Sequence, residues 1–425
     1  MLDIHAIREN PRRVRELSLQ KNVDVPVDEI VALDDRRRAL LQEVESLKAQ
    51  RNAGSKQVGR TKDPHERQRL IAEMSGLGDR ISALDAEVRT VEAALHELML
   101  GVPNMPDPDV PVGPDAASNT IHEEKGDLST FDFEPKPHWD IGEALGIIDL
   151  QRGIKVAGTR GYFLRGDGAR LQRALVTWML DVHTTRHGYT ELIVPHLVTA
   201  ESLVGTGNLP KFADALFVDE DEDKWMIPTA EVPITNMYRD EILDAARLPI
   251  YHTAASQCFR NEAISAGRDV RGIKRVFEFH KVEMVKFVHP DQGEAELERL
   301  LREALFIVDE LGLSYRVLNL STGDMTFASA HTYDIETWAP GSGEWLEISS
   351  CSLFRDFQAR RANLRFRPEG GGRPHFLYTL NGSGLALPRT IIAILENYQQ
   401  ADGTVVVPEV LRPYLGGQSV IAPSA

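Results

Sequence analysis

The residues best equipped for chemistry lie between Gln257 and Lys286, QCFRNEAISAGRDVRGIKRVFEFHKVEMVK. The pattern predicts a strand ending in Cys258-Phe259-Arg260-Asn261-Glu262, a Gly- and Arg-rich connection, and a returning strand from Lys274. Gly267, Arg268, Arg271, Gly272, Lys274 and Arg275 fall within nine positions of that connection. Glycine lets backbone N–H groups approach a ligand closely, and arginine offers planar bidentate donors to phosphate oxygens. Alternation along the returning strand puts Arg275, Phe279 and Glu283 on one face, and four residues of strand span about 13 Å. A cation for phosphate, a ring for a base and a carboxylate for a polar group would suit an elongated ligand. A two-sided antiparallel strand with solvated charges would carry the same residues, and the hairpin alone does not choose.

Other segments offer chemistry as well. DKWMIPTAEVPITNMY sets Thr229-Ala230-Glu231 between two prolines, a polar triplet in an apolar run that needs partners from a ligand or from the protein. GTGNLPKF (205–212) is a glycine loop ending near Lys211. In GEWLEISSCSLFRDFQARR, Glu347 and Ser349 or Ser350 lie beside Cys351, with Arg360 and Arg361 close behind. Carboxylate and hydroxyl oxygens suit Mg²⁺, although surface polar residues on a strand would read the same way. TLNGSGLALPRTIIAILENYQ is expected to turn through its glycines into a helix with Pro388 and Arg389 in the first turn, a favourable place for a phosphate. His183 and His187 are four apart, but HTTRH lacks the Glu of a zinc-protease motif, so they are expected on a helix surface. Neither a G-x-x-x-x-G-K-[ST] loop nor a strand-borne G-x-G-x-x-G is present.

The elements that must hold these residues divide the chain at VPNMPDPDVPVGP, five prolines between Pro103 and Pro114 that form a stiff connector. Before it comes a short helical lead-in (1–26) and then heptad order. Ile30, Leu33, Leu40, Val44 and Leu47 fall on a/d spacing, interrupted by Arg37 and Arg51. Leu70, Met74, Leu77, Ile81, Leu84, Val88, Val91, Leu95 and Leu98 make a cleaner seam. AGSKQVGRTKDP (53–64) separates the runs, so two helices should fold back as an antiparallel coiled-coil hairpin with its tip near 50–66. Seven basic residues surround that tip (Lys48, Arg51, Lys56, Arg60, Lys62, Arg67 and Arg69) against Asp63 and Glu66. The tip reads as a reach toward a phosphate backbone or as a solvated or dimerising coiled coil.

Beyond the connector, mixed strands and helices predict an α+β domain on an antiparallel sheet, giving domains 1–110 and 111–425. Residues 169–187 read as an amphipathic helix leading into a strand, GYTELIVPHLV, whose Pro195 places it at a sheet margin or subunit boundary. Pro290 to Gly312 reads as a helix, and Gly416 to Ala425 as a disordered tail. The formal net charge of −16 over 425 residues argues against non-specific polyanion binding by the whole surface. Two cysteines, no apolar span and no leader-like start point to a cytoplasmic protein without a membrane association.

With these segments in order, the sequence resembles the bacterial-type seryl-tRNA synthetases of class II over nearly its whole length. GYTELIVPHLV (about 187–198) looks like motif 1, the 257–286 hairpin like motif 2, and NGSGLALPRTIIAILENYQ (about 380–400) like motif 3. GTGNLPKF, PTAEVP and EISSCS also resemble segments of that family, and the N-terminal hairpin resembles its tRNA-binding arm. The resemblance implies a homodimer that activates L-serine with ATP and charges tRNA(Ser), and tRNA(Sec) where present. It implies a serine pocket of Thr229, Ala230, Glu231, Glu283, Asn381 and Ser383. Arg260 would bridge the α-phosphate and the serine carboxylate, with Asn261, Glu262 and Val276 toward the nucleotide. Phe279 would stack on adenine, Arg275 and Arg389 would hold the outer phosphates, and Arg260, Arg275 and Arg389 would be the catalytic set. Glu347, Ile348, Ser349 and Ser350 would line the ATP site, Glu347 and Ser350 taking Mg²⁺. Strict strand alternation, however, pairs Glu347 with Ser349, so Ser350 requires a bend in the strand. VFEFHK also departs from the His and Asp that family members often carry near Phe277 and His280. Two alternatives stand beside this reading. A ligase that activates an amino acid for a carrier protein would lack the arm, and a non-catalytic homologue should have lost Arg260, Phe279, Glu283 or Arg389.

Overall fold

The computed structural model describes residues 1–262 and 271–423. Gly267 and Arg268, expected in the anion-holding connection, lie outside the described residues. The chain separates into two compact units, Leu2–Pro103 and Asn104–Ala425, with Met1 grouped with the second.

In the first unit, α1 (Ile4–Glu9) and α2 (Pro11–Gln20) precede two long helices, α3 (Val27–Arg60) and α4 (Pro64–Leu100). Heptad leucines and valines bring these two together antiparallel. Leu40, Val44, Leu84 and Val88 form a buried cluster flanked by Leu41, Leu47 and Val91. Arg37, which interrupts the heptads, leaves the seam sideways and donates to Glu92 at 2.8 Å. Burial along α4 is uneven: Met74 and Leu77 are only half covered, between the buried Leu70 and Ile81. The reversal is tighter than the glycines of 53–64 indicate. α3 continues to Arg60, and only 61–63 turn. Gly54 stays helical because it packs against the facing helix: a Cβ there would lie 2.2 Å from Met74 Sδ. Asp63 then starts α4 by accepting from the Glu66 N–H at 2.8 Å, with Pro64 in the first turn.

The second unit is built on an eight-stranded sheet. Its strands are β1 (Thr120–Lys125), β2 (Thr190–Glu191), β3 (Ile250–Phe259), β4 (Glu278–Val288), β5 (Tyr315–Asn319), β6 (His331–Ala339), β7 (Glu344–Arg355) and β8 (Tyr378–Ala386). Their order is β1-β5-β6-β7-β8-β4-β3-β2, antiparallel throughout except for β2 on β3. The helices used below are α5 (His138–Ala144), α6 (Asp167–Thr185), α7 (Glu231–Asn236), α8 (Gly293–Glu310) and α9 (Leu387–Asn397). Val282, Met284 and Val288 of β4 join Leu171 and Met179 of α6, Leu300 and Ala304 of α8, and Ile391 and Ile394 of α9 in one core. The alternate residues of β4, among them Lys281 and Glu283, face the other way.

Several expectations change. The returning strand starts at Glu278 rather than Lys274, because Ile273 and Val276 turn into the core first and Gly272 takes φ +81°. Arg275 is therefore not on the strand face with Phe279 and Glu283. GYTELIVPHLV does not form one strand. Thr190–Glu191 pairs with β3, Leu197–Val198 pairs elsewhere with Lys224–Met226, and Ile193 between them is 98% exposed. The glycines of NGSG lie within β8 and make no turn. They are there for clearance, since a Cβ on Gly382 would lie 3.1 Å from Cys351 Sγ and one on Gly384 2.5 Å from His183 Nε2. His183 itself is fully buried rather than on the helix surface, and burial, with His187 beside it, lowers its pKa to about 3. The expected tail is ordered as far as it is described: Val420–Ile421 pairs with Val405–Val406, and Ile421 is buried.

Leu84→Ala, in the covered part of the arm seam, should destabilise the hairpin by about 2–4 kcal/mol. Leu77→Ala, nearer the tip, should cost distinctly less. Amide hydrogen exchange along α3 and α4 measures both, and equal losses would contradict the difference in burial between Leu84 and Leu77.

Candidate active site

The site begins with a carboxylate that no water reaches. Glu283, on β4, is fully buried and forms an ion pair with Lys281, itself nearly buried. A charge taken out of water needs a partner and further hydrogen bonds. Here Thr229 Oγ1 donates to Glu283 Oε2 at 2.7 Å, Lys281 Nζ donates to the same hydroxyl at 3.0 Å, and Asn381 Nδ2 donates to Glu283 Oε1 at 2.9 Å. Register makes this possible, because β4 pairs with β8 so that Glu283 sits opposite Ser383, two residues from Asn381.

Glu231 opens α7 directly after Thr229-Ala230. Asn381 Nδ2 also donates to Glu231 Oε2 at 3.0 Å, and Gln358 Nε2 donates to Glu231 Oε1 at 2.6 Å. Gln358 is in turn held by the Thr379 hydroxyl at 2.7 Å. Two carboxylates thus share one amide, with one ammonium between them. Burial, then the Glu283 charge, raise the Glu231 pKa to about 7. Thr229, Glu231, Glu283 and Asn381 are thus joined by hydrogen bonds, with Ser383 opposite Glu283 in register, while Ala230 is fully buried. Lys281 and Gln358 were missed in the sequence, although HK-V-E already places Lys281 two residues from Glu283 on the same face.

Arg260 leaves the end of β3 and lays its guanidinium over the Phe279 ring, 5.2 Å from the centroid, with Nε 3.4 Å from Pro228 O. Cation, ring and carboxylate therefore adjoin along one face. Arg275, off the strand, reaches Glu262 at 3.7 Å, and Arg160 donates to the Glu262 carbonyl at 2.6 Å. Val276 and Ile348 bury their side chains in the core, so only their main chains remain available to a ligand. Asn261 lines a cavity of about 700 Å³ with Arg160, Phe217, Phe259, Phe277 and His280, on the reverse face of the hairpin from Glu283.

At the far edge Arg389, in the first turn of α9, donates to the Glu347 carbonyl at 2.7 Å and lies 3.0 Å from its carboxylate. The bend that the sequence left open is a bulge. Ile335 faces Ser349 but Glu336 faces Glu347, so Ile348 is the extra residue. Beyond it Ser349 donates to Ser383 O at 2.6 Å, whereas Ser350 turns to Asp334. Burial and the Glu347 charge raise the Asp334 pKa well above its usual value, and its buried Oδ1 has no hydrogen-bond partner among the described residues. Asp334, Glu347 and Ser350 thus form a cluster of hard oxygens with an unsatisfied acceptor, which fits a Mg²⁺ ion.

This antiparallel sheet, with the hydrogen-bonded Thr229, Glu231, Glu283 and Asn381 at its centre, has the architecture of a class II aminoacyl-tRNA synthetase core. Residues 214–398 match the model of the tRNA synthetase class II core domain (G, H, P, S and T), and residues 1–106 that of the seryl-tRNA synthetase N-terminal domain. The chain is 59% identical to a serine–tRNA ligase of Thermomicrobium roseum, over 99% of this chain and 95% of that protein. It is 56% identical to one from Herpetosiphon aurantiacus, over 98% and 99% of the two chains. The seryl-tRNA synthetase of Pyrococcus horikoshii, solved with ATP, superposes with a TM-score of 0.93 at 36% identity over all of both chains. The chain belongs to the serine–tRNA ligase family.

Because the folded pKa of Glu231 is raised above the ordinary 4.5 to about 7, its contribution to stability is fully present below pH 4.5 and is lost as pH rises through 7. Glu231→Gln should remove that loss. Relative to wild type the variant gains on the order of 2 kcal/mol between pH 5 and 8, read as a flatter melting temperature across that range. An unchanged pH slope would contradict the raised pKa.

Proposed function

We propose that the pocket of Thr229, Ala230, Glu231, Glu283, Asn381 and Ser383 takes L-serine, and that ATP lies along the face from Phe279 to Arg389. The observation that carries this reading is the pair of carboxylates, the half-buried Glu231 and the buried Glu283, bridged by Asn381 and balanced by one ammonium, Lys281. Two negative groups and one resident cation leave room for a second cation, which the serine α-ammonium supplies. A hydroxyl-bearing ligand also satisfies groups that alanine or glycine would leave unpaired, at about 1–3 kcal/mol each.

As a member of its family, the protein joins serine to tRNA in two transfers. A serine carboxylate oxygen attacks the α-phosphorus of ATP, giving seryl-adenylate and pyrophosphate, and the terminal adenosine hydroxyl of the tRNA then takes the seryl group. No side chain acts as nucleophile. Arg260 holds the carboxylate against the α-phosphate, Phe279 carries the adenine with Glu262 nearby, and Arg275 and Arg389 neutralise the outer phosphates, while Asn261, which lines the cavity on the reverse face, takes no part. This is catalysis by alignment and preorganised charge. Mg²⁺, held by Glu347 and Ser350 beside Asp334, would further neutralise phosphate oxygens.

The partner readings are part of the same proposal. The helical hairpin of 1–110, through Lys48, Arg51, Lys56, Arg60, Lys62, Arg67 and Arg69, is the contact for the tRNA backbone of tRNA(Ser), and of tRNA(Sec) where present. Lys48 is paired with Asp85 at 3.3 Å, and the other six are exposed except the half-buried Arg51. Ile193, 98% exposed near the sheet margin, and Leu197, 54% exposed, support a second copy of the chain covering that edge. No helix among the described residues is long and apolar enough to cross a membrane, in keeping with a cytoplasmic site of action.

Arg260→Ala should abolish serine-dependent pyrophosphate exchange with the fold intact by circular dichroism, and near-wild-type exchange would refute the site. Exchange should be strong with serine and weak with glycine, alanine and threonine; equal rates would refute the pocket. Replacing Lys56, Arg60, Lys62 and Arg67 together by Ala should leave exchange unchanged and raise the KM for tRNA roughly tenfold or more. Unaltered charging would remove the arm from tRNA binding.

A further inference from the structure

Arg275 and Arg389 sit on separate segments, one after the motif-2-like connection and one at the start of α9, yet a ligand that both hold requires a fixed spacing between them. We propose that His138 is a positioning residue for ATP, locking together the chain segments that carry Arg275 and Arg389. The proposal rests on the reading that these two arginines hold ATP phosphates.

His138 opens α5 and is 2% exposed. Its Nδ1 lies 2.9 Å from Glu396 Oε1, and the Ile273 backbone N–H donates to its Nε2 at 3.2 Å. A backbone N–H can only donate, so Nε2 presents its lone pair and the ring proton sits on Nδ1, facing Glu396. Glu396 is fully buried and also accepts from the His138 N–H at 2.9 Å, the Ser342 N–H at 2.8 Å and the Ser342 hydroxyl at 2.7 Å. Four donors leave that carboxylate little freedom.

Each end of this relay leads to an arginine. Glu396 lies in the last turn of α9 and Arg389 in its first, seven residues or about 10 Å along a rigid helix. Ile273, fully buried, precedes Arg275 by two residues. Gly272 lets the main chain close on the ring: at φ +81° it lies so near that a Cβ would fall 2.0 Å from His138 Nε2. The same segment is tied on either side, Arg271 to Asp140 at 3.1 Å and Lys274 to Glu344 at 2.5 Å. His138 is the one imidazole placed between the two arginine-bearing segments among the described residues. The serine pocket is built on α7, β4 and β8, none of which supplies a hydrogen bond to His138.

Two isosteric halves of the imidazole separate its two bonds. His138→Asn keeps a donor near the Nδ1 position for Glu396 and cannot reach Ile273, whereas His138→Gln carries an acceptor near the Nε2 position. Pyrophosphate exchange with the full-length protein should show the ATP KM about tenfold higher in His138→Asn with the serine KM unchanged. His138→Gln should return the ATP KM to within about threefold of wild type. Gly272→Ala, whose Cβ would fall against the His138 ring and break its contact with Ile273, should give the same ATP-specific rise. An ATP KM unmoved in Gly272→Ala and in His138→Asn overturns the proposal. So does a parallel rise in both KM values, since a purely structural histidine would damage both sites alike. Arg275→Ala and Arg389→Ala run alongside: if neither raises the ATP KM, it is the phosphate reading that fails.

Discussion

A carboxylate sealed from water in the middle of a sheet constrains everything around it, and Glu283 is that group. Removing its charge from solvent is tolerable only with an ion pair and hydrogen bonds in place. Lys281, Thr229 and Asn381 provide them from three separate segments. The strand register between β4 and β8, the placement of the Thr229 turn and the start of α7 all have to agree for these contacts to exist together. A one-residue slip of β4 would turn Glu283 toward Leu300 and Ala304. The pocket and the fold are therefore specified by the same interactions.

The two carboxylates, Glu283 and Glu231, differ in their partners. Glu283 has an ammonium at contact distance, whereas Glu231 is met by two neutral amides and feels Glu283 as a like charge. The arrangement favours a ligand that brings a cation. At the other end of the site the logic is reversed: Glu347 and Asp334 concentrate negative charge beside Arg389, and an unsatisfied Asp334 oxygen remains. One face thus carries a cation-seeking end on β4 and β8 and a metal-compatible end on β7 and β6, neighbours in the strand order.

Much of this was legible. Heptad leucines gave the paired helices, because a 3.5-residue apolar repeat has few other solutions. Thr229–Glu231 stood out as a polar triplet that an apolar run does not carry without partners, and Glu283 as a carboxylate on a strand face, whereas Asn381 and Ser383 came only from the family resemblance. Other readings failed for identifiable causes. NGSG resembled a turn because glycine is permissive in both settings, and only Cys351 and His183 pressing on Gly382 and Gly384 show that clearance was the need. His183 resembled a surface histidine because its cover comes from β8, about two hundred residues away. Arg275 resembled a strand residue until the burial of Ile273 and Val276 shortened β4.

Taken alone, the sequence determined the class of chemistry: which side chains are available, that they recur in a set resembling one family, and that a helical hairpin with a basic tip precedes a mixed domain. Side-chain type and local periodicity carry that information, since both are properties of neighbouring residues. The tertiary structure decided which groups meet. It placed Asn381 between Glu231 and Glu283, turned Ser350 rather than Ser349 toward Asp334 through a bulge at Ile348, and set His138 between Glu396 and Ile273. Those outcomes depend on contacts between residues far apart in the chain, and on a register and a bulge that no local pattern encodes. The hairpin from Gln257 to Lys286 shows both contributions. Its residue types allowed an anion-holding hairpin or a solvated strand, and its neighbours in space joined Glu283 to Lys281, Thr229 and Asn381.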